Sequence, residues 1–240
     1  MTKKLISSIL LLLAAVGASA QYERQGEAGA ESNAPWEQVA SQRRQLFNFD
    51  WNFPAGSKQQ VAVFSNAEQV ELFVNGRSLG RRANDNTEPG TQHIVTWKDV
   101  PYGRGGSLEA VGYKAGREIA RHRIETAGRA VALRVEAETP DNWEADGMDL
   151  QYLKVYAVDR KGRRVPDFSE PVTVNVDGAA SLLTLDDGDH YTELLSYGVD
   201  TKAMRRGFLQ VILRSKRAPG AVTVSLSSRS LKKTVSLETE

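Results

Sequence analysis

The side chains of this 240-residue chain that could do chemistry are few and scattered. The densest acidic cluster is Asp186-Asp187-Gly188-Asp189, and carboxylates grouped around a glycine can serve Ca²⁺. Their spacing departs from the twelve-residue calcium loop, and Asp and Gly in this order suit a β-turn without any metal. We expect a turn, with Asp186, Asp187 and Asp189 as the alternative metal ligands and no cofactor. His93, His122 and His190 stand singly, without the close spacing of a metal site. Ser, His and Asp all occur, but no Gly-x-Ser-x-Gly pattern sits in a strand-turn-helix context, so no nucleophilic triad is assigned. Tyr102-Gly103-Arg104-Gly105-Gly106 precedes a strand rather than opening a helix, and reads as a connection rather than a phosphate cradle. Arg121 and Arg123 alternate along a strand around His122 and read as a solvated face.

Aromatic rings offer a second kind of chemistry, because an exposed ring on a β-sandwich can stack on the apolar face of a sugar. Trp97 and Tyr102 flank Lys98-Asp99-Val100-Pro101, and Trp143 stands among Asp141, Asn142 and Glu144. These three are the candidate carbohydrate-binding residues. For Trp97 the competing reading is a core position at the end of a strand. Trp143 lies in a polar stretch, where core packing and exposure are both open. Tyr191 and Tyr197 flank an irregular stretch and are weaker candidates.

The elements that must position these residues begin after an apolar start. Lys3 and Lys4 precede an apolar run from Leu5 to Val16 that ends in Ala18-Ser19-Ala20, the layout of a cleaved secretory signal. The run is shorter than the roughly 20 residues of a membrane-spanning helix. Residues 1–20 are expected to be removed, leaving no membrane span and an exported product in the periplasm, at the cell surface or outside the cell. Setting Lys3 and Lys4 aside lowers 31 basic residues to 29 against 30 acidic ones, so no net field recruits nucleic acid. There is no cysteine, which excludes disulfides, a lipid-bearing cysteine and a thiol nucleophile. The domains must be held by their cores alone.

Residues 21–48 are rich in Glu, Gln, Ala, Gly and Ser and read as a flexible leader, with room for a short helix near Trp36 to Gln45. From Gln60 onward, short runs alternate apolar and polar residues between Gly, Asn, Asp and Pro, the signature of antiparallel β-structure. In Val70-Glu71-Leu72-Phe73-Val74, every second residue falls on one face, and Asn75-Gly76 follows as a tight-turn dipeptide. Further strands are predicted at Val61 to Ser65, Ile94 to Trp97, Leu108 to Tyr113 and Glu118 to Glu125. A second set covers Ala130 to Glu138, Leu150 to Asp159, Val172 to Val176, Ser181 to Leu185, Phe208 to Ser215, Ala221 to Ser227 and Lys233 to Leu237. The fold class is therefore all-β: two tandem immunoglobulin-like antiparallel sandwiches, over 49–128 and 129–240, after a signal peptide and leader.

Two long stretches carry a resemblance. VAVFSNAEQVELFVNGRSLG with TWKDVPYGRGGSLEAVGYKAGREIARHRIETAG resembles the β-sandwich module that follows the catalytic barrel in β-galactosidases of glycoside hydrolase family 2. RVEAETPDNWEADGMDLQYLKVYAVDRKGRRVPDFSEPVTVNVDG with LLTLDDGDHYTE is similar to the next, bacterial immunoglobulin-like module, and FDWNFPAG resembles the segment leaving the barrel. Retaining glycoside hydrolysis needs two carboxylates about 5 to 5.5 Å apart, and the resemblance places both on a barrel of about 250 residues. The sequence before Gln60 has no room for it, so no catalytic residue is carried over. The resemblance implies an exported, non-catalytic accessory module that binds a glycan or another exported protein, or gives structural support. The alternative is a subunit or degenerate remnant of such an enzyme.

Overall fold

Asn75-Gly76 sets the first hairpin. Val74 pairs with Arg77, and Asn75 and Gly76 adopt φ of 52° and 79°, the left-handed pair that a two-residue type I′ turn requires. Asn reaches this region because its short amide bonds locally, and Gly because it has no Cβ. The Asn75 side chain is used here, its Oδ1 accepting from Ser107 N at 2.8 Å. Gly106 lies so close that a Cβ there would stand 1.7 Å from that oxygen.

The computed structural model of the chain describes residues 11–16, 47–48, 50–84, 93–138, 143–188 and 198–240. Every regular element among them is a β-strand, and no helix among them is long and apolar enough to cross a membrane. The stretch expected to offer a short helix, Trp36 to Gln45, lies outside the described residues. The chain divides into Met1–Thr126 and Ala127–Glu240.

The first unit contains β1 (Leu11–Val16), β2 (Phe47–Asn48), β3 (Lys58–Ser65), β4 (Gln69–Val74), β5 (Arg77–Ala83), β6 (Ile94–Pro101), β7 (Ser107–Lys114) and β8 (Arg117–Glu125). They form two antiparallel sheets, in the orders β2-β1-β3-β6 and β5-β4-β7-β8. Alternation decides which side chains meet between the sheets. Val61 and Val63 of β3 and Val95 and Trp97 of β6 are buried against Val70 and Leu72 of β4 and Leu108 of β7. Each fully buried Val or Leu contributes about 1.5 to 3 kcal/mol. One strand draws on residues of the expected export signal: Leu11–Val16 pairs antiparallel with Gln60–Ser65 of β3.

The second unit contains β9 (Ala132–Ala137), β10 (Leu150–Val158), β11 (Pro171–Gly178), β12 (Ala180–Asp186), β13 (Thr201–Ala203), β14 (Phe208–Ser215), β15 (Gly220–Ser227) and β16 (Lys232–Thr239). Its sheets run β12-β14-β10-β9 and β13-β11-β15-β16. Leu153, Val155, Leu209 and Val211 from the first face Val172, Val174, Val222 and Val224 from the second. Strand β13 was not expected from sequence. Thr201-Lys202-Ala203 has no apolar alternation and is defined by its edge pairing with β11.

Beneath this core, Gly207 closes a tight turn at φ 68°. Its N–H donates to the Phe168 carbonyl and its own carbonyl accepts from Ala157 N, each at 3.0 Å. A Cβ there would stand 2.2 Å from the Val165 carbonyl oxygen. Gly207→Ala is expected to lower the free energy of unfolding by about 2 kcal/mol or more, from the left-handed strain and the backbone clash. Urea unfolding with an unchanged midpoint would contradict that clash.

Candidate functional site

The three rings singled out as sugar-stacking candidates are buried. Trp97 of β6 is 2% exposed, Tyr102 5% and Trp143 2%. Tyr102 packs edge-to-face against Trp51 and Phe53, with ring centroids 5.3 and 5.8 Å away. Its hydroxyl lies 3.2 Å from Thr126 Oγ1, which donates to the Trp51 carbonyl at 2.6 Å. Trp51 and Phe53 are thereby anchored to the first core. Trp143 belongs to the second core. Of the two readings left open for it, the core position holds, because the surrounding loop is tied inward: Trp143 Nε1 donates to the Asp149 carbonyl at 3.2 Å, and Glu240 N donates to the Trp143 carbonyl at 2.9 Å. None of the three presents a face on which a sugar could stack. Tyr191 and Tyr197 lie outside the described residues.

The acidic cluster is used locally. Asp186 Oδ1 accepts from Gly188 N at 2.7 Å, closing an Asx turn in which Gly188 has φ 77°. Asp187 Oδ2 stands 4.0 Å from Lys202 Nζ. Asp189 and His190 lie outside the described residues. Among the described residues no three acidic or histidine side chains gather as metal ligands.

One polar site in the second unit was not anticipated from sequence. In the second unit, the segment entering β9, the turn after β10 and the turn between β15 and β16 border a shallow cleft of about 540 Å³. Arg129, Arg160, Lys161 and Arg163 line it, together with Asp159, Ser230 and Leu231. Asp159 organises the floor, accepting from Gly128 N (2.9 Å), Lys161 N (2.9 Å), Arg163 N (3.0 Å) and the Arg163 guanidinium (2.6 Å from Nη2). Burial by itself would push this carboxyl up, but Arg163 and the three backbone donors together hold it well below the usual carboxylate range. The sequence signal for this role was an Asp directly before a glycine-containing turn, Asp159 to Gly162.

Other carboxylates are also held low by their donors. Glu71 is lowered chiefly by the Ser78 hydroxyl (2.7 Å), with Arg81 and Tyr113 assisting. Glu118 is lowered by Arg121, Asp146 by the backbone N–H groups of Met148 and Asp149, and Glu170 by Ser228. A carboxylic acid that protonates a glycosidic oxygen needs the opposite displacement. These carboxylates fix turns and strand registers.

Fold and site together define a class, tandem antiparallel β-sandwiches whose polar side chains fasten their own backbone. Residues 133–236 match the family described as glycoside hydrolase family 2 C-terminal domain 5, and residues 56–120 match a domain of unknown function, DUF4982. The two units are thus related to C-terminal domains of glycoside hydrolase family 2 β-galactosidases and β-glucuronidases. It is similar to a β-galactosidase of Bacteroides ovatus, 28% identical over 190 residues that make up 77% of this chain and 21% of that protein. A β-glucuronidase of Formosa agariphila is 30% identical over 131 residues, 54% of this chain and 13% of that one. The crystal structure of a glycosyl hydrolase family 2 member from Bacteroides cellulosilyticus superposes with a TM-score of 0.78 at 26% identity, covering 98% of this chain and 29% of its own. The chain thus spans about a fifth of the B. ovatus relative's length.

Protonation of Asp159 tests the floor of the cleft. Its folded pKa is depressed, so its stabilisation is complete above the unfolded value near 4 and is lost as pH falls through the lower folded value. Asp159→Asn is expected to cost roughly 2 to 4 kcal/mol at neutral pH, as loss of one partner in a largely buried pair does. In urea titrations the gap from the unaltered protein should narrow only in strongly acid solution. A gap that does not change with pH would show that the carboxylate charge is not what stabilises the turn.

Proposed function

We propose that this chain is an exported, non-catalytic accessory module related to the C-terminal domains of family 2 β-galactosidases, and that it gives structural support through contact with protein. The observation that carries this reading is the commitment of Trp97, Tyr102 and Trp143 to the two cores. A sugar-stacking surface built from them would require unpacking a sandwich. The lowered pKa values of Glu71, Glu118, Asp146, Asp159 and Glu170 support the same reading, since none of these groups is poised to donate a proton near neutral pH. The family relationship supports a place beside carbohydrate-degrading enzymes.

The purified protein is expected to leave chromogenic β-galactosides and β-glucuronides unhydrolysed above a blank preparation. Turnover above the blank would overturn the non-catalytic reading. Affinity electrophoresis in gels containing neutral or acidic polysaccharides is expected to show unretarded migration. Retardation would replace support through protein contact with glycan binding at a surface other than the three rings.

A further inference from the structure

Strand β3 sits inside its sheet only because Leu11–Val16 lies along one of its edges. On the other edge, β3 pairs with β6, and Ser65 N donates to the His93 carbonyl at 2.8 Å. Backbone groups of successive strand residues point to opposite sides. Val61 and Val63 therefore share the direction of Ser65, toward β6, while Gln60 and Ala62 turn their N–H and C=O toward β1. The observed register places Val16 opposite Gln60 and Ala14 opposite Ala62.

The same six residues lie inside the segment that reads as an export signal. Removal of residues 1–20 would leave this sheet with only the β3–β6 pair besides β2, whose Phe47 and Asn48 are paired with β1. Two strands would then face the four of β5-β4-β7-β8 across one core. A two-stranded sheet is marginal, and a long apolar strand with an open edge is a template for strand addition. The strand now in that position is six residues long, uncharged and apolar throughout: Leu-Leu-Leu-Ala-Ala-Val.

We infer that, after export, the β3 edge of the first sandwich accepts an antiparallel apolar strand from a different polypeptide, in the manner of strand-addition complexes. This rests on the reading of the chain as a module that works by protein contact. A second copy, processed in the same way, has lost its own Leu11–Val16 and cannot supply the strand. The B. cellulosilyticus structure points to the kind of donor. Its match covers 98% of this chain and 29% of that longer polypeptide, so most of that enzyme's chain lies outside the shared modules.

The test uses the full chain expressed with its own leader in an exporting bacterium. Intact mass of the exported product is expected to show a start near Gln21. Amide exchange followed by NMR is expected to be roughly tenfold or more faster at Gln60 and Ala62 than at Val61 and Val63, as at an open edge. A synthetic peptide of the Leu11–Val16 sequence flanked by lysines should slow Gln60 and Ala62 to the level of their neighbours. The same peptide N-methylated at the residues corresponding to Leu12, Ala14 and Val16 should have no effect, whereas methylation at the Leu11, Leu13 and Ala15 positions should leave binding intact. The inference is overturned if the exported product retains Leu11–Val16, if Gln60 and Ala62 are protected without peptide, or if the two methylated peptides act alike. Concentration-dependent protection without peptide would also overturn it, by making a second copy the occupant. Galactoside turnover would fail the functional reading while leaving the exchange result to be judged separately.

Discussion

Each sandwich depends on a single seam, where alternate apolar side chains of two sheets meet. No cysteine is present to reinforce it. Small disulfide-free domains have little margin, so every large side chain that can be drawn into the seam adds to a small net stability. That demand explains the fate of the aromatic residues. Trp51, Trp97 and Trp143 are among the largest fully buried side chains, and rings in that role cannot also serve a ligand at the surface.

Much of the architecture was legible because antiparallel strands with one buried face announce themselves by a period of two. Phe208–Ser215 was read from sequence with the boundaries it has in the structure. The other strands of the two predicted sets differ by a few residues at their ends: Ile94 to Trp97 continues to Pro101, whereas Ala130 to Glu138 is paired only over Ala132–Ala137. Arg77–Ala83 is absent from the predicted sets, because its residues are mostly exposed and carry no alternation. The candidate site was less legible. Burial of Trp143 depends on loop contacts with Asp149 and Glu240, and the second of these is remote in sequence. The role of Asp159 depends on Gly128, which lies 31 positions away.

The carboxylates illustrate how acidic residues serve a fold that has little other glue. Glu71 accepts from Ser78, Arg81 and Tyr113, joining three strands on the outer face of one sheet, and the Arg81 guanidinium lies 3.5 Å from the centre of the Tyr113 ring. Glu170 receives Ser228 and Ser230 from the turn between β15 and β16. Exposed pairs of this kind contribute little individually. Their value is geometric, since each favours one register over slipped alternatives that would turn an apolar face outward.

The Asn75-Gly76 turn has a consequence for the chemical ageing of the protein. Asn-Gly is the dipeptide most open to succinimide formation, because the glycine nitrogen can reach the asparagine side-chain carbon without obstruction. Here the amide is clamped by Ser107 N on one side and confined by Gly106 on the other. While the sandwich holds, the clamp opposes the rotation that the ring closure needs. Whenever the hairpin opens the reaction can proceed, and an isoaspartyl linkage would add a backbone atom to a turn that has no slack. The deamidated fraction of this one turn would then record how long a molecule has spent open.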